Sequence, residues 1–451
     1  MNALLASAPL LLRRRGALAD VLPVIAFAAA TTITATVLGG TAAFVGRLPA
    51  SGLEMPSGEE TLIPFLVMCA ITASVLLIPS AIGLGGSAAR LSLARREKDL
   101  ATIRLVGGTG GQVGAVAVLD VAAQALLGAI IGSVLHLAVA PPLTALDFGI
   151  APFTLGELLL PWWAYPLLVL GMVLLAAGSA AVSLTGVVLS PLGVARDSRV
   201  VRMSVVRVVV WVVLIVGLFG FMQVGGALFG QFADGMVTIA IMVVFVGAIV
   251  AGVNIVGPFV VWATALLVAR TAPTPSLLVG ARRLAADPRA GWRAVSGITF
   301  ALVIAGFLTV LSLMTRGSGS RPEDVLMATA LSTGGLLTLG IAAVLAAVST
   351  GVTQTARVID QAPVLRAQHI AGAEVGQLHR ARIAEISLPV LLSSILATLT
   401  ALLVVVAVLG APNHPLVAVQ YLLSVLASYA LVMAAVLVAS PLVRRYALRG
   451  A

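Results

Sequence analysis

Two carboxylic acids in this chain stand where a carboxylate is expensive. Asp120 and Glu385 each fall a little over two helical turns into a long apolar run. At about 1.5 Å per residue they lie roughly 12 Å deep, near a headgroup boundary. An acid at that depth handles protons or is half of an ion pair. Pairing with arginines of the neighbouring loops is the preferred reading, and a proton relay the alternative. Little other chemistry is on offer. His136, His369, His379 and His414 are dispersed, and none makes a metal spacing with Cys69 or with another histidine on one helix face. The lone cysteine sits in an apolar run and reads as a small packing residue. A phosphate-binding loop needs a lysine after a glycine-rich turn. The only lysine, Lys98, follows Arg-Arg-Glu instead. No catalytic residue and no metal site is assigned, and the chain is not expected to be an enzyme or to bind a cofactor of its own.

The elements that position these residues are set by composition. Of 451 residues, 60% are hydrophobic and 10% charged, with a mean hydropathy of +1.13. Soluble domains carry about 25% charged residues. The chain is therefore read as an all-α integral membrane protein, with lipid as its main solvent. Ten spans are expected, at 21–46, 62–86, 113–140, 158–185, 204–228, 236–268, 294–315, 326–352, 382–410 and 416–440. The sixth contains Asn254, Gly257 and Pro258, and reads as one long kinked helix rather than two short ones. With both termini inside, all but Arg47, Arg316 and Arg321 of the 27 basic residues lie on the cytoplasmic side. The net charge of +10 is then topological, and no basic domain with interleaved aromatics points to nucleic acid. Met1 to Arg15 ends in three arginines, the reverse of a secretory leader, and reads as an interfacial segment before an uncleaved span.

Between the second and third spans lies Ala94 to Gln112. Apolar positions Leu100, Ile103 and Leu105 recur at helical spacing among Arg95, Arg96, Glu97, Lys98, Asp99 and Arg104. The run Gly107 to Gly111, interrupted only by Thr109, then breaks the helix. A worn copy recurs further on. Leu105–Asp120 lies on Ile370–Glu385, placing Gly107 on Gly372, Gly111 on Gly376, Gln112 on Gln377 and Asp120 on Glu385. The repeat is parallel, pairing spans 1–4 with spans 7–10 and leaving spans 5 and 6 as joiners. The copies differ: Pro363 stands where the first copy is densely charged, and a regular helix does not continue across it.

This pattern resembles the FtsX/MacB-type permease family of ABC transporters. The likeness rests on Ile103 to Val113 followed by Asp120, on the weaker second copy with Gly372, Ala373, Gln377 and Glu385, on Ser190–Arg196 and on Arg282–Gly297. The resemblance implies a ten-span permease of the type VII kind in a bacterial plasma membrane, surrounded by lipid. It implies a separately encoded ABC ATPase, expected in two copies, that carries ATP and Mg. It also implies two cytoplasmic coupling segments, one with Arg95, Arg96, Glu97, Lys98, Asp99, Arg104, Gly107, Thr109 and Gln112, the other with Arg366, His369, Gly372, Glu374 and Gln377. The implied organisation is an N-terminal segment (1–20), a first repeat (21–185, coupling loop 87–112), a linker (186–270), a second repeat (271–440, coupling loop 353–381) and a tail (441–451). Where many relatives carry a large outer domain, the loops here are only Arg47–Thr61 and Arg316–Asp324. An exporter of hydrophobic or amphiphilic molecules is the expected function. A signalling subunit without cargo and a proton-coupled secondary transporter using Asp120 and Glu385 are the alternatives.

Overall fold

The computed structural model describes residues 17–48, 59–105, 109–188, 235–289, 322–360 and 362–409, with Gly107 and separate positions within 206–220, 291–302 and 419–434. Ten helices are given in chain order: α1 (Ala17–Gly46), α2 (Glu59–Leu105), α3 (Gly110–Leu143), α4 (Leu155–Leu158), α5 (Ala164–Val188), α6 (Gly235–Thr271), α7 (Pro275–Ala286), α8 (Pro322–Asp360), α9 (Ala362–Ile370) and α10 (Val375–Leu409). No strand occurs among the described residues. Six of the helices contain a stretch long and apolar enough to cross a membrane: Val21–Gly46, Leu62–Leu93, Gly110–Leu143, Ala164–Leu184, Val325–Thr355 and Val375–Thr400. The protein is an all-α integral membrane protein that crosses the bilayer several times. The expected spans at 204–228, 294–315 and 416–440 lie outside the described residues apart from those separate positions, and the N-terminal segment before Ala17, Ser190–Arg196 and the C-terminal tail lie outside them entirely.

Small residues decide the packing, because in lipid helices associate by close contact rather than by burying oil from water. On α3, a Cβ added to Gly128 would lie 2.5 Å from Phe27 Cβ, and one added to Gly132 would lie 2.4 Å from the Ala28 carbonyl oxygen. The α1 and α3 backbones therefore meet directly, and Thr32 Oγ1 donates across the gap to the Gly132 carbonyl at 3.0 Å. Helix α1 is the centre of the first group, packed by α2, α3, α4 and α5. Its threonines Thr31, Thr34 and Thr36 return their hydroxyls to carbonyls four residues back, so they bury without an unpaired donor.

A second group is built from α6, α7 and α10. Helix α6 runs unbroken through Asn254, Gly257 and Pro258, as the single long helix was expected to. Gly257 has a packing reason to be glycine: an added Cβ would come within 2.1 Å of the Trp292 ring. Helix α7 is short, starts at Thr274 with its hydroxyl accepting from Leu277 N–H, and lays Gly280 against the Ala381 carbonyl of α10. The fourth span begins later than expected. Residues 155–158 form the short α4, and α5 starts only at Ala164, because Pro161 supplies a carbonyl to Ala164 N–H but has no N–H to extend the earlier helix.

Helix α8 stands between the groups. Leu345 packs into the cluster of Leu84, Ala88 and Leu93, while the next residue, Ala346, packs with Ile386 and Val390 of α10. Its first turns, Leu326 to Ala330, join Phe44, Leu62, Leu66, Phe148 and Phe153 at one end of the bundle. Further along, Ala342, Leu345 and Val352 join Leu77, Leu84 and Leu93. Helices α2 and α8 thus run side by side in the same direction, and their C-termini point to the same end.

Candidate functional site

That shared end carries both charged segments singled out in the sequence. The first is not a loop. Helix α2 continues without a break for 47 residues, through Arg95, Arg96, Glu97, Lys98, Asp99 and Arg104, to Leu105. The charged stretch is the end of a stalk that begins inside the membrane. The chain then turns at Gly107, whose φ of +103° is open to glycine and strained for other residues. Thr109 restarts the helix in an extended conformation (φ −69°, ψ 152°). Its hydroxyl accepts from Gln112 N–H at 3.4 Å, and Gln112 Oε1 accepts from Thr109 N–H at 3.1 Å. This reciprocal cap satisfies two of the backbone donors that a helix start leaves open.

The second segment repeats the turn by its own means. Helix α8 is described to Asp360 and α9 from Ala362 to Ile370, with Pro363 in its first turn. Helix α9 then closes with Gly372 at φ +97°. Gly372 N–H donates to the His369 carbonyl at 3.0 Å and Ala373 N–H to the Gln368 carbonyl at 2.9 Å, the paired bonds of a Schellman C-cap. His369 Nδ1 sits 2.9 Å from the Ala373 carbonyl and braces the same turn. Glu374 N–H then donates to Gln377 Oε1 at 3.2 Å. Gly372 matches Gly107, Glu374 matches Thr109 and Gln377 matches Gln112 under the repeat. Only Gly107, Gly149 and Gly372 have positive φ among the described residues, so two of the three fall on equivalent repeat positions.

The two breaks differ in their surroundings. Arg283 of α7 reaches the second one, donating through Nη2 to Gln368 Oε1 at 3.0 Å. Arg382, buried at the start of α10, donates to the Gln354 carbonyl of α8 at 3.3 Å. These bonds tie the second break to helices on both sides. Arg366 is exposed on α9.

The two acids do not meet across the bundle. Asp120 is on α3 in the first group and Glu385 on α10 in the second. Asp120 Oδ2 accepts a hydrogen bond from Gln124 Nε2, one turn on, at 2.8 Å. Glu385 lies where α7 presses on α10, its backbone nitrogen 3.1 Å from the position of a Cβ on Gly280. No group of three or more His, Cys, Asp or Glu side chains that could hold a metal ion occurs among the described residues.

At the opposite end an arginine closes over a loop acid. Arg47 Nε and Nη2 donate to both carboxylate oxygens of Glu157, at 2.9 and 3.0 Å. The same guanidinium donates to the carbonyls of Ala151 and Pro152, and its Cζ stands 4.0 Å from the Phe153 ring centroid. Glu157 also accepts from Thr154 N–H at 2.7 Å. The Arg47 bond, ahead of the Thr154 amide, holds the Glu157 carboxyl down to a pKa of about 2. The signal available in sequence was one arginine alone on an acid-rich face. Trp162 and Trp163, which follow this loop, are exposed and suit an interfacial belt.

Residues 71–188 match the family described as FtsX-like permease, C-terminal. The match runs from the middle of α2 through the first break, α3 and the clasped loop to the end of α5. No curated protein and no solved structure matches the chain. FtsX-like permeases work with an ATPase partner and belong generally to the ABC type of membrane permease. With its apolar helices, its stalk and its capped restart at Thr109, the chain is a multi-pass membrane protein that carries an FtsX-like permease domain over residues 71–188.

Proposed function

We propose that the chain is the membrane subunit of an ATP-driven exporter whose motor is a separately encoded ABC ATPase, two copies to one permease. The two breaks are the places where the motor takes hold. The observation that carries this reading is the recurrence, at one end of the bundle, of a left-handed glycine followed two residues later by a capped helix start. A motor of two like subunits needs two like handles, and this chain supplies them in one polypeptide. The residues assigned to the grip are Arg95, Arg96, Glu97, Lys98, Asp99, Arg104, Gly107, Thr109 and Gln112 on the first, and Arg366, His369, Gly372, Glu374 and Gln377 on the second. ATP and Mg stay on the partner, since this chain has no lysine on a glycine-rich turn. A short clasped loop follows α3 at the outer end, which leaves a membrane-soluble amphiphile as the fitting cargo: a drug, a lipid or a hydrophobic peptide.

The test is reconstitution of the full chain in lipid discs with an ABC ATPase from the same organism, chosen as one that carries G-x-x-x-x-G-K-[ST] and is encoded nearby. Hydrolysis should rise when the permease is added and fall again with Arg104→Ala combined with Gly107→Ala. A hydrolysis rate indifferent to both changes refutes the reading. In vesicles, transport that needs no ATP and collapses with the proton gradient moves the assignment to a proton-coupled carrier using Asp120 and Glu385. Capture of an outer protein through the Arg47–Thr61 loop, without transport, moves it to a signalling subunit.

A further inference from the structure

Large apolar side chains exposed along the spans face lipid and need no explanation. Two that are not in that position are among the most exposed of the described residues. Leu105 is 88% exposed and Ile370 is 76% exposed. Each is the last residue of its helix, α2 and α9, and each stands two residues before its left-handed glycine. They are equivalent under the internal repeat. Helix α3 has 34 residues and is therefore about 51 Å long, against roughly 30 Å of hydrocarbon. If its outer end is level with the membrane face, the tip bearing Leu105 stands about 20 Å beyond the inner one. Leucine and isoleucine gain nothing from water there. The caps around them are satisfied by backbone and by Gln112 and Gln377, so the two side chains are not needed to close the turns.

Resting on the function proposed above, we infer that Leu105 and Ile370 are a matched pair of pegs, each seated in the same apolar socket on one of two copies of the ATPase. The charged residues around them do a different job. At the first tip the peg follows Arg104, and Thr109 restarts the helix; at the second it follows His369, and Glu374 restarts it. The pegs supply a grip common to both copies, and the unlike neighbours make the two grips unequal. Basic residues outnumber acidic ones around the first peg, so its socket has an acidic rim. Burial of the peg occurs only on docking, so its loss weakens docking without loosening the permease.

The experiment uses the full chain in lipid discs and the same ATPase, purified. Leu105→Asp and Ile370→Asp each lower ATPase affinity about tenfold or more, because each removes a large buried side chain from the complex. The double variant abolishes co-purification, Leu105→Met keeps it, and all variants keep the melting temperature of the parent. A photo-crosslinker placed in turn at 105 and at 370 marks the same ATPase peptide. If the unaltered chain binds and stimulates the ATPase but the double variant does so equally well, or the two crosslinks fall on different peptides, the pegs are overturned and the proposed function stands. If the ATPase neither binds nor responds to the unaltered chain, both are overturned.

Discussion

The glycine-rich run before α3 contains two residues that sequence alone treats alike, and a single pair of variants separates them. Gly107 has φ +103°, whereas Gly111 lies inside the first turn of α3, and a Cβ added at either would meet nothing within 4 Å. Replacement by alanine is therefore a pure backbone perturbation with no clash to confound it. An L-residue in the left-handed helical region costs about 1–2 kcal/mol, and φ near +100° lies beyond that region, so the cost at Gly107 is of order 1–3 kcal/mol. The same replacement at Gly111 is neutral or stabilising by up to about 1 kcal/mol, because alanine favours the helix it already sits in. If the turn geometry is what presents the tip, Gly107→Ala reduces the docked population by about 5- to 150-fold. Gly111→Ala leaves it unchanged or raised. Amide hydrogen exchange over residues 94–112 of the purified chain reads the local effect, and stimulated ATP hydrolysis reads the functional one. Gly372→Ala should repeat the result at the second tip, where the Schellman bonds of Gly372 and Ala373 depend on the same conformation. Equal behaviour of Gly107→Ala and Gly111→Ala in both assays would refute the reasoning, since plain flexibility would then suffice.

Three further outcomes follow from the geometry. Gly132→Ala pushes α1 from α3, since its Cβ would lie 2.4 Å from the Ala28 carbonyl and 2.7 Å from Thr31 Cβ; unfolding in mixed micelles should show a loss of about 1–3 kcal/mol. Gly257→Ala displaces the Trp292 ring at 2.1 Å; a comparable loss is expected, with a red shift of tryptophan emission that a Trp292→Phe background removes. The clasp of Arg47 and Glu157 gives a pH signature. The folded pKa of about 2 lies below the reference value of 4.5, so the stabilisation is complete above about 4.5 and is lost as pH falls toward about 2. Thermal melts of the parent should decline through that window, and Arg47→Met or Glu157→Gln should flatten the decline.

Much of this was legible because membrane chains are constrained by one-dimensional rules. Apolar length marks spans, and six of the expected ones coincide with helices of sufficient length. The Gly107 and Gly372 correspondence was visible as a spacing before φ was known, since glycine punctuates helices for a backbone reason. What stayed hidden is set by distant contacts. The requirement for glycine at 257 comes from Trp292, thirty-five residues on and in a different element. The clasp joins Arg47 to Glu157 across two helices, and neither residue has a local pattern that announces the other. Asp120 accepts a hydrogen bond from Gln124 on its own helix, a pair one turn apart that was available in the sequence. Leu105 and Ile370 were aligned by the repeat, but the charges beside them drew the assignment, because apolar residues carry no signal until their exposure is known.

The placement of α8 bears on how two tips could act together. It follows the first group by well over a hundred residues, yet it packs on α1 and α2 of that group, while Ala346 shares a buried cluster with α10 residues and the Gln354 carbonyl accepts from Arg382 of α10. A packed helix shared by two groups moves as a rigid rod before it deforms, because interiors at native density do not compress. At the outer end the rod is pinned: a Cβ on Gly149 would lie 2.8 Å from the Leu326 carbonyl, and Leu326 joins the Phe44, Phe148 and Phe153 cluster that Arg47 closes over. At the other end α8 is described to Asp360 and α9 from Ala362. A push on the second tip would tilt α8 about its pinned end and shear it along α2, whose own tip lies at the same end of the bundle. The helix contact that can couple the two tips is that of α8 with α2, where Leu345 shares a buried cluster with Leu84, Ala88 and Leu93, and substitutions along it should change how far a pull on one tip is felt at the other.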